Sequence, residues 1–98
     1  MTIYKEYQEK TLTLAVEGRI DTMTAPELEK EVKESIEGAE ELIFDFEKLE
    51  YISSAGLRVL LSAQKTMNKQ GSMKVIHADG PIIEIFEVTG FTDILTIE

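Results

Sequence analysis

Two adjacent hydroxyls, Ser53 and Ser54, stand where an apolar stretch gives way to a helical pattern, within Tyr51-Ile52-Ser53-Ser54-Ala55-Gly56-Leu57-Arg58-Val59-Leu60-Leu61. A serine at a helix start has three chemistries open to it. It can cap the helix by accepting a backbone N–H. It can carry a phosphate, because the first turn leaves N–H groups unpaired and bears partial positive charge. With a base in hydrogen-bond reach it can also act as a nucleophile. The third needs His77, the single histidine, and no G-x-S-x-G elbow surrounds either serine. Hydrolysis is therefore the weakest of the three, while capping and phosphate acceptance both stay open.

Other site chemistries find little in the chain. Asp21, Asp45 and Asp79 are scattered singly, without the dense oxygen-ligand spacing of a calcium loop, and no His-Glu-x-x-His helix occurs. Ser53-Ser54-Ala55-Gly56 lacks the glycine and lysine spacing of a phosphate loop. No metal and no cofactor are expected, and no catalytic residue is assigned.

The serines depend on the elements around them. Ile3 to Gln8 and Thr11 to Glu17 read as two strands about a Glu9-Lys10 turn, the second alternating Leu12, Leu14 and Val16 with Thr11, Thr13 and Ala15. Gly18 to Met23 breaks that alternation, and Thr24-Ala25-Pro26-Glu27 fits a capping box for a helix from about Ala25 to Ile36. Leu42-Ile43-Phe44-Asp45-Phe46 predicts a central strand covered on both faces. A second helix is expected from Ser54 to about Lys69, stopped by Gly71, and then a strand from Met73 to His77. Pro81 opens a short third helix, Gly90 ends it, and Ile94 to Ile97 predicts a final edge strand.

Helices that return the chain for further parallel strands define an α/β domain over residues 1–98, with a mixed, mostly parallel sheet and an N-terminal hairpin. In such sheets functional loops gather at the carboxyl ends of the strands. Here these are Gly18 to Thr24, Leu49 to Gly56 and His77 to Gly80.

Composition narrows the partners. Ten Lys and Arg against nineteen Asp and Glu leave a net charge of -9, which repels nucleic acid and anionic headgroups alike. The chain has no cysteine, hence no disulfide, and no apolar run near the roughly 20 residues that span a bilayer. Its first residues lack a signal peptide's apolar stretch, so a cytoplasmic location is the expectation.

Four separated blocks bring a family into view: Val16-Glu17-Gly18-Arg19-Ile20-Asp21 followed by Thr24-Ala25, Leu42 to Phe46, Tyr51 to Leu57, and Val88-Thr89-Gly90-Phe91. In this order they resemble the STAS family, bacterial anti-sigma factor antagonists above all, over nearly the whole chain. The resemblance implies a non-enzymatic partner switch. The unmodified domain binds an anti-sigma factor that is also a serine kinase, freeing a sigma factor, until serine phosphorylation ends the binding; a phosphatase reverses it.

Aligning Gly56 with the family's glycine places the acceptor at Ser54, with Ser53, the second choice, where the family commonly has Asp. The implied docking surface comprises Asp21, Thr22, Thr24, Ser53, Ser54, Gly56, Leu57 and Arg58. The same resemblance admits an alternative, an unphosphorylated STAS scaffold subunit of a transporter or lipid-trafficking complex.

Overall fold

Alternation of apolar and polar residues puts Leu12, Leu14 and Val16 on one face of a strand, and all three are buried in the computed structural model, which describes residues 1–98. This strand, β2 (Thr11–Ile20), pairs antiparallel with β1 (Thr2–Gln8) through the Glu9-Lys10 turn. On its other side β2 runs parallel to β3 (Glu41–Asp45), which in turn runs parallel to β5 (Ser72–Ile76). A fifth strand, β4 (Leu49–Ile52), pairs parallel with the far end of β2.

Three helices complete the domain: α1 (Ala25–Ser35), α2 (Ser54–Gln70) and α3 (Gly80–Thr89). Leu28, Val32 and Ile36 fall at spacings of four and place the buried stripe of α1 over the sheet. Leu57, Leu60, Ala63 and Met67 do the same for α2. These residues join Phe44, Val75, Ile82 and Phe86 in one apolar cluster.

Three expectations change. β2 continues past Glu17 to Ile20, and the segment from Leu49 forms β4 rather than a loop. A register shift between Gly18 and Arg19 lets the extension pair with β4, and that bulge is what interrupts the alternation. β4 escapes detection because Glu50 and Tyr51 are both exposed between buried Leu49 and Ile52. Next, β3 is covered on one face only. Leu42 and Phe44 are buried while Glu41, Ile43 and Asp45 are half-buried, because α3 packs on β4 instead of the second face.

The third change is at the chain's end, where a 3₁₀ turn (Phe91–Asp93) runs into the strand expected over Ile94 to Ile97. Ile94 and Leu95 donate to the Phe91 carbonyl at 3.0 and 2.8 Å, so only a single bridge, Val75 to Ile97, remains of the pairing. By contrast Gly90 stops α3 as expected, in a left-handed conformation with φ 79° that glycine adopts without a side-chain clash.

Candidate functional site: two loops at the ends of β2 and β4

Because β2 and β4 lie side by side and parallel, the loops that leave them start together. The Ser53 N–H donates to the Ile20 carbonyl at 2.8 Å, which ties the second loop to the first. Beneath this junction Arg19 stacks over the ring of Tyr51, its guanidinium carbon 4.4 Å from the centroid.

The first loop is organised by Asp21. One carboxylate oxygen accepts the N–H groups of Met23 and Thr24 at 2.9 and 3.0 Å, and the Thr24 hydroxyl accepts the Asp21 N–H at 2.8 Å. Thr24 also donates to the Arg19 carbonyl at 2.9 Å. The expected capping box between Thr24 and Glu27 is therefore absent, and Thr24 makes no side-chain cap for α1. A reciprocal Asp21–Thr24 pair takes its place. Thr24 cannot turn toward α1 because its hydroxyl is already engaged backward.

The N–H of Thr24 does most to hold the Asp21 carboxyl below its ordinary pKa; desolvation opposes it, and the N–H of Met23, the Thr24 hydroxyl and Arg19 add to the lowering. A depressed folded pKa gives stability that is complete above the ordinary aspartate range and is lost as pH falls through the folded value. The melting temperature of the wild-type domain should thus exceed that of Asp21→Asn at neutral pH, and the gap should close below about pH 4. A gap that stays constant from pH 7 to about pH 3 in thermal melts would count against this role.

Met23, at the crest of this loop, is 86% exposed. It was not among the expected surface residues. Its signal in the sequence is an apolar side chain inside a turn, where no packing periodicity claims it.

The second loop separates the two serines. Ser53 has an extended backbone, and its hydroxyl accepts the Gly56 N–H at 3.4 Å, so it is the N-cap of α2. Ser54 is the first residue of the helix, exposed, and its hydroxyl engages no other group of the chain. Serine and aspartate are comparable N-caps. Ser53 therefore keeps the capping part of what an aspartate does there, and loses only its charge.

Ser53→Asp should stabilise the domain by about 0.3–1 kcal/mol through the helix dipole, and Ser53→Ala should cost about 0.5 kcal/mol or a little more. Urea unfolding distinguishes them. A destabilised Ser53→Asp would overturn the capping assignment.

Gly56 and Leu57, expected on the docking surface, are buried. They act from below. A Cβ on Gly56 would lie 2.6 Å from Ile20 Cγ2 and 2.7 Å from Ile52 Cγ1, so glycine lets the start of α2 settle onto the strand ends. That contact sets where Ser54 emerges. Exposed Thr22, Ser54 and Arg58 and half-buried Asp21, Thr24 and Ser53 remain on or near the surface. Between α1 and α2 a groove of about 220 Å³ is lined by Thr22, Ala25, Pro26, Glu29, Ala55, Arg58 and Val59.

The third loop keeps a different partner. His77 Nδ1 lies 3.0 Å from Asp45 Oδ1, at the ends of β5 and β3, and neither serine hydroxyl has an imidazole beside it. The arrangement offers a phosphate-compatible hydroxyl on an exposed helix start, flanked by a rigid turn. It offers no base for a serine nucleophile.

A small mixed sheet with helices on one face and a serine-bearing helix start at its parallel strand ends defines an α/β domain of a recognisable kind. The sequence model of the STAS domain matches residues 2–98, and the chain belongs to this family. Among its relatives, the anti-sigma-B factor antagonist of Bacillus subtilis (strain 168) is 30% identical over 90 residues, covering 91% of this chain and 83% of that one. That of Listeria monocytogenes is 31% identical over 97 residues, covering 96% and 84%. The crystal structure of an anti-sigma factor antagonist from Mycobacterium paratuberculosis superposes with a TM-score of 0.88 at 26% identity, over 98% of this chain and 83% of that one. No helix of the domain is long and apolar enough to cross a membrane.

Proposed function

We propose that this chain is an anti-sigma factor antagonist, a non-enzymatic cytoplasmic binding protein switched by phosphorylation of Ser54. Unmodified, it binds an anti-sigma factor that is also a serine kinase and so releases a sigma factor; a phosphatase restores the bound state. The observation that carries this reading is the exposed, unbonded Ser54 hydroxyl on the first turn of α2, left free because Ser53 does the capping. The names of the relatives support the same role.

The transfer is simple to balance. Ser54 Oγ forms a bond to the γ-phosphorus of ATP as the bond to the β,γ-bridging oxygen breaks. ADP leaves, and the hydroxyl proton goes to a base on the kinase. The product adds about -1.5 to -2 charge to a domain already at -9. The helix start accommodates that charge within the domain, whereas a partner buried against it cannot.

The docking surface is the pair of loops: Asp21, Thr22, Met23 and Thr24 from the first, Ser53, Ser54 and Arg58 from the second. Incubating the purified protein with ATP and the anti-sigma kinases of its source, then mapping phosphate by peptide mass, tests the proposal. Modification at Ser54, abolished in Ser54→Ala, is the expected result; no modification by any kinase that binds the domain would sink it.

A further inference from the structure

Arg58 lies one helical turn beyond Ser54 on α2. Residues so spaced are neighbours on one helix face, with Cβ atoms about 5–6 Å apart. Arg58 is exposed. Lys5, Lys10, Lys33 and Lys74 each pair with a carboxylate at 3.3, 3.4, 3.3 and 3.8 Å, whereas Arg58, like Arg19, Lys30, Lys48, Lys65 and Lys69, pairs with none. Glu29, the acid that shares its groove, is held by Lys33. The first turn of α2 carries no acidic residue. An unclaimed guanidinium therefore stands beside an unclaimed hydroxyl.

We propose that Arg58 is the intramolecular partner of the phosphate on Ser54, closing onto it within the same helix. The inference rests on Ser54 as the acceptor. An anion at position i with a cation at i+4 is the stronger order along a helix. The guanidinium also presents its N–H donors as a fork that matches two phosphate oxygens, which a lysine cannot do. The switch then has two parts. Phosphorylation adds an anion to the docking surface and withdraws from it the one cation there that the unmodified domain leaves free for a partner's carboxylate.

The test uses the full chain with phosphoserine incorporated genetically at position 54, so no kinase is needed. The second ionisation of the phosphate, ordinarily near pH 6, is followed by ³¹P resonance in wild type and in Arg58→Gln. Besides Arg58, the charged groups around it are Glu29 on α1 and Asp21 in the first loop. Both are common to the two proteins, so the difference reports Arg58. The wild-type midpoint should lie lower by about 0.2–0.4 pH units, the size of a helix-surface ion pair, with Arg58→Lys in between. Amide spectra of the unmodified proteins that agree outside the first turns of α2 exclude a folding effect.

Midpoints that coincide within about 0.1 unit, or a lower midpoint in the variant, overturn the proposal. Failure of every kinase to modify Ser54 would instead sink the proposed function and leave the titration result standing.

Discussion

Ser54→Glu should weaken binding of the anti-sigma partner by roughly a hundredfold or more, while Ser54→Ala should bind within about threefold of wild type. The asymmetry follows from what each change does at a buried contact. An unpaired charge trapped in an interface costs on the order of 3 to 5 kcal/mol, which corresponds to two to three and a half decades of affinity. The alanine change removes only a hydroxyl that makes no bond within the domain. Phosphoserine, with nearly twice the charge of glutamate, should be more severe still. Isothermal titration of the three proteins against one partner measures this directly.

The same experiment separates charge from contact. If Ser54→Ala lost as much affinity as Ser54→Glu, the hydroxyl itself would be the recognised group and modification would be incidental. The fold of the modified domain should persist, because α2 is anchored from below by Leu57, Leu60, Ala63 and Met67, none of which is disturbed by a group on Ser54. Amide shifts confined to the neighbourhood of the two loops are expected. Changes spread across the sheet would mean that the switch works by refolding.

How far the sequence leads differs between fold and site, for physical reasons. Buried stripes such as Leu12-Leu14-Val16 and Leu28-Val32-Ile36 announce their elements, because period and burial are the same fact seen twice. β4 does not. A four-residue strand with its two middle residues exposed has no period to read, and the bulge at Gly18/Arg19 that receives it is a long-range event.

Within the site, the existence of a serine cap was legible from local chemistry, but which serine caps depends on the extended backbone of Ser53, a tertiary outcome fixed by its N–H bond to Ile20. Thr24 shows the opposite failure. Its capping-box spacing was locally correct, and Asp21 outcompeted Glu27 for the partnership. Leu57 lies in a motif that marks the surface, yet it is buried, because it joins Leu60, Ala63 and Met67 in the apolar cluster beneath α2.

The largest loss of stability should come from a residue far from the serines, through Gly71→Ala. The position was legible as a helix stop, but its requirement for glycine is a matter of space. Its φ is 170°, an extended value open to any residue, and a Cβ there would lie 1.9 Å from the Glu40 carbonyl oxygen and 2.7 Å from its carbon. Those atoms are backbone. They cannot rotate away, because Glu40 accepts from the Ser72 N–H at 3.0 Å and donates its own N–H to Lys10 at 2.8 Å.

Gln70 holds the same junction by donating to the Ile36 and Ala39 carbonyls at 2.9 and 2.7 Å. Relief requires moving the start of β5 off β3, where Ser72 faces Glu41 in register. Overpacking against such a frame should cost about 3 kcal/mol or more, equivalent to a fall in melting temperature of roughly 12–24 °C for a domain of this size. Gly80→Ala is the control: its Cβ meets nothing within 4 Å at the first residue of α3, and the melt should move by no more than a few degrees. If Gly71→Ala melted alongside Gly80→Ala, the packed junction between α2 and the segment before β3 would not be the constraint that the geometry indicates.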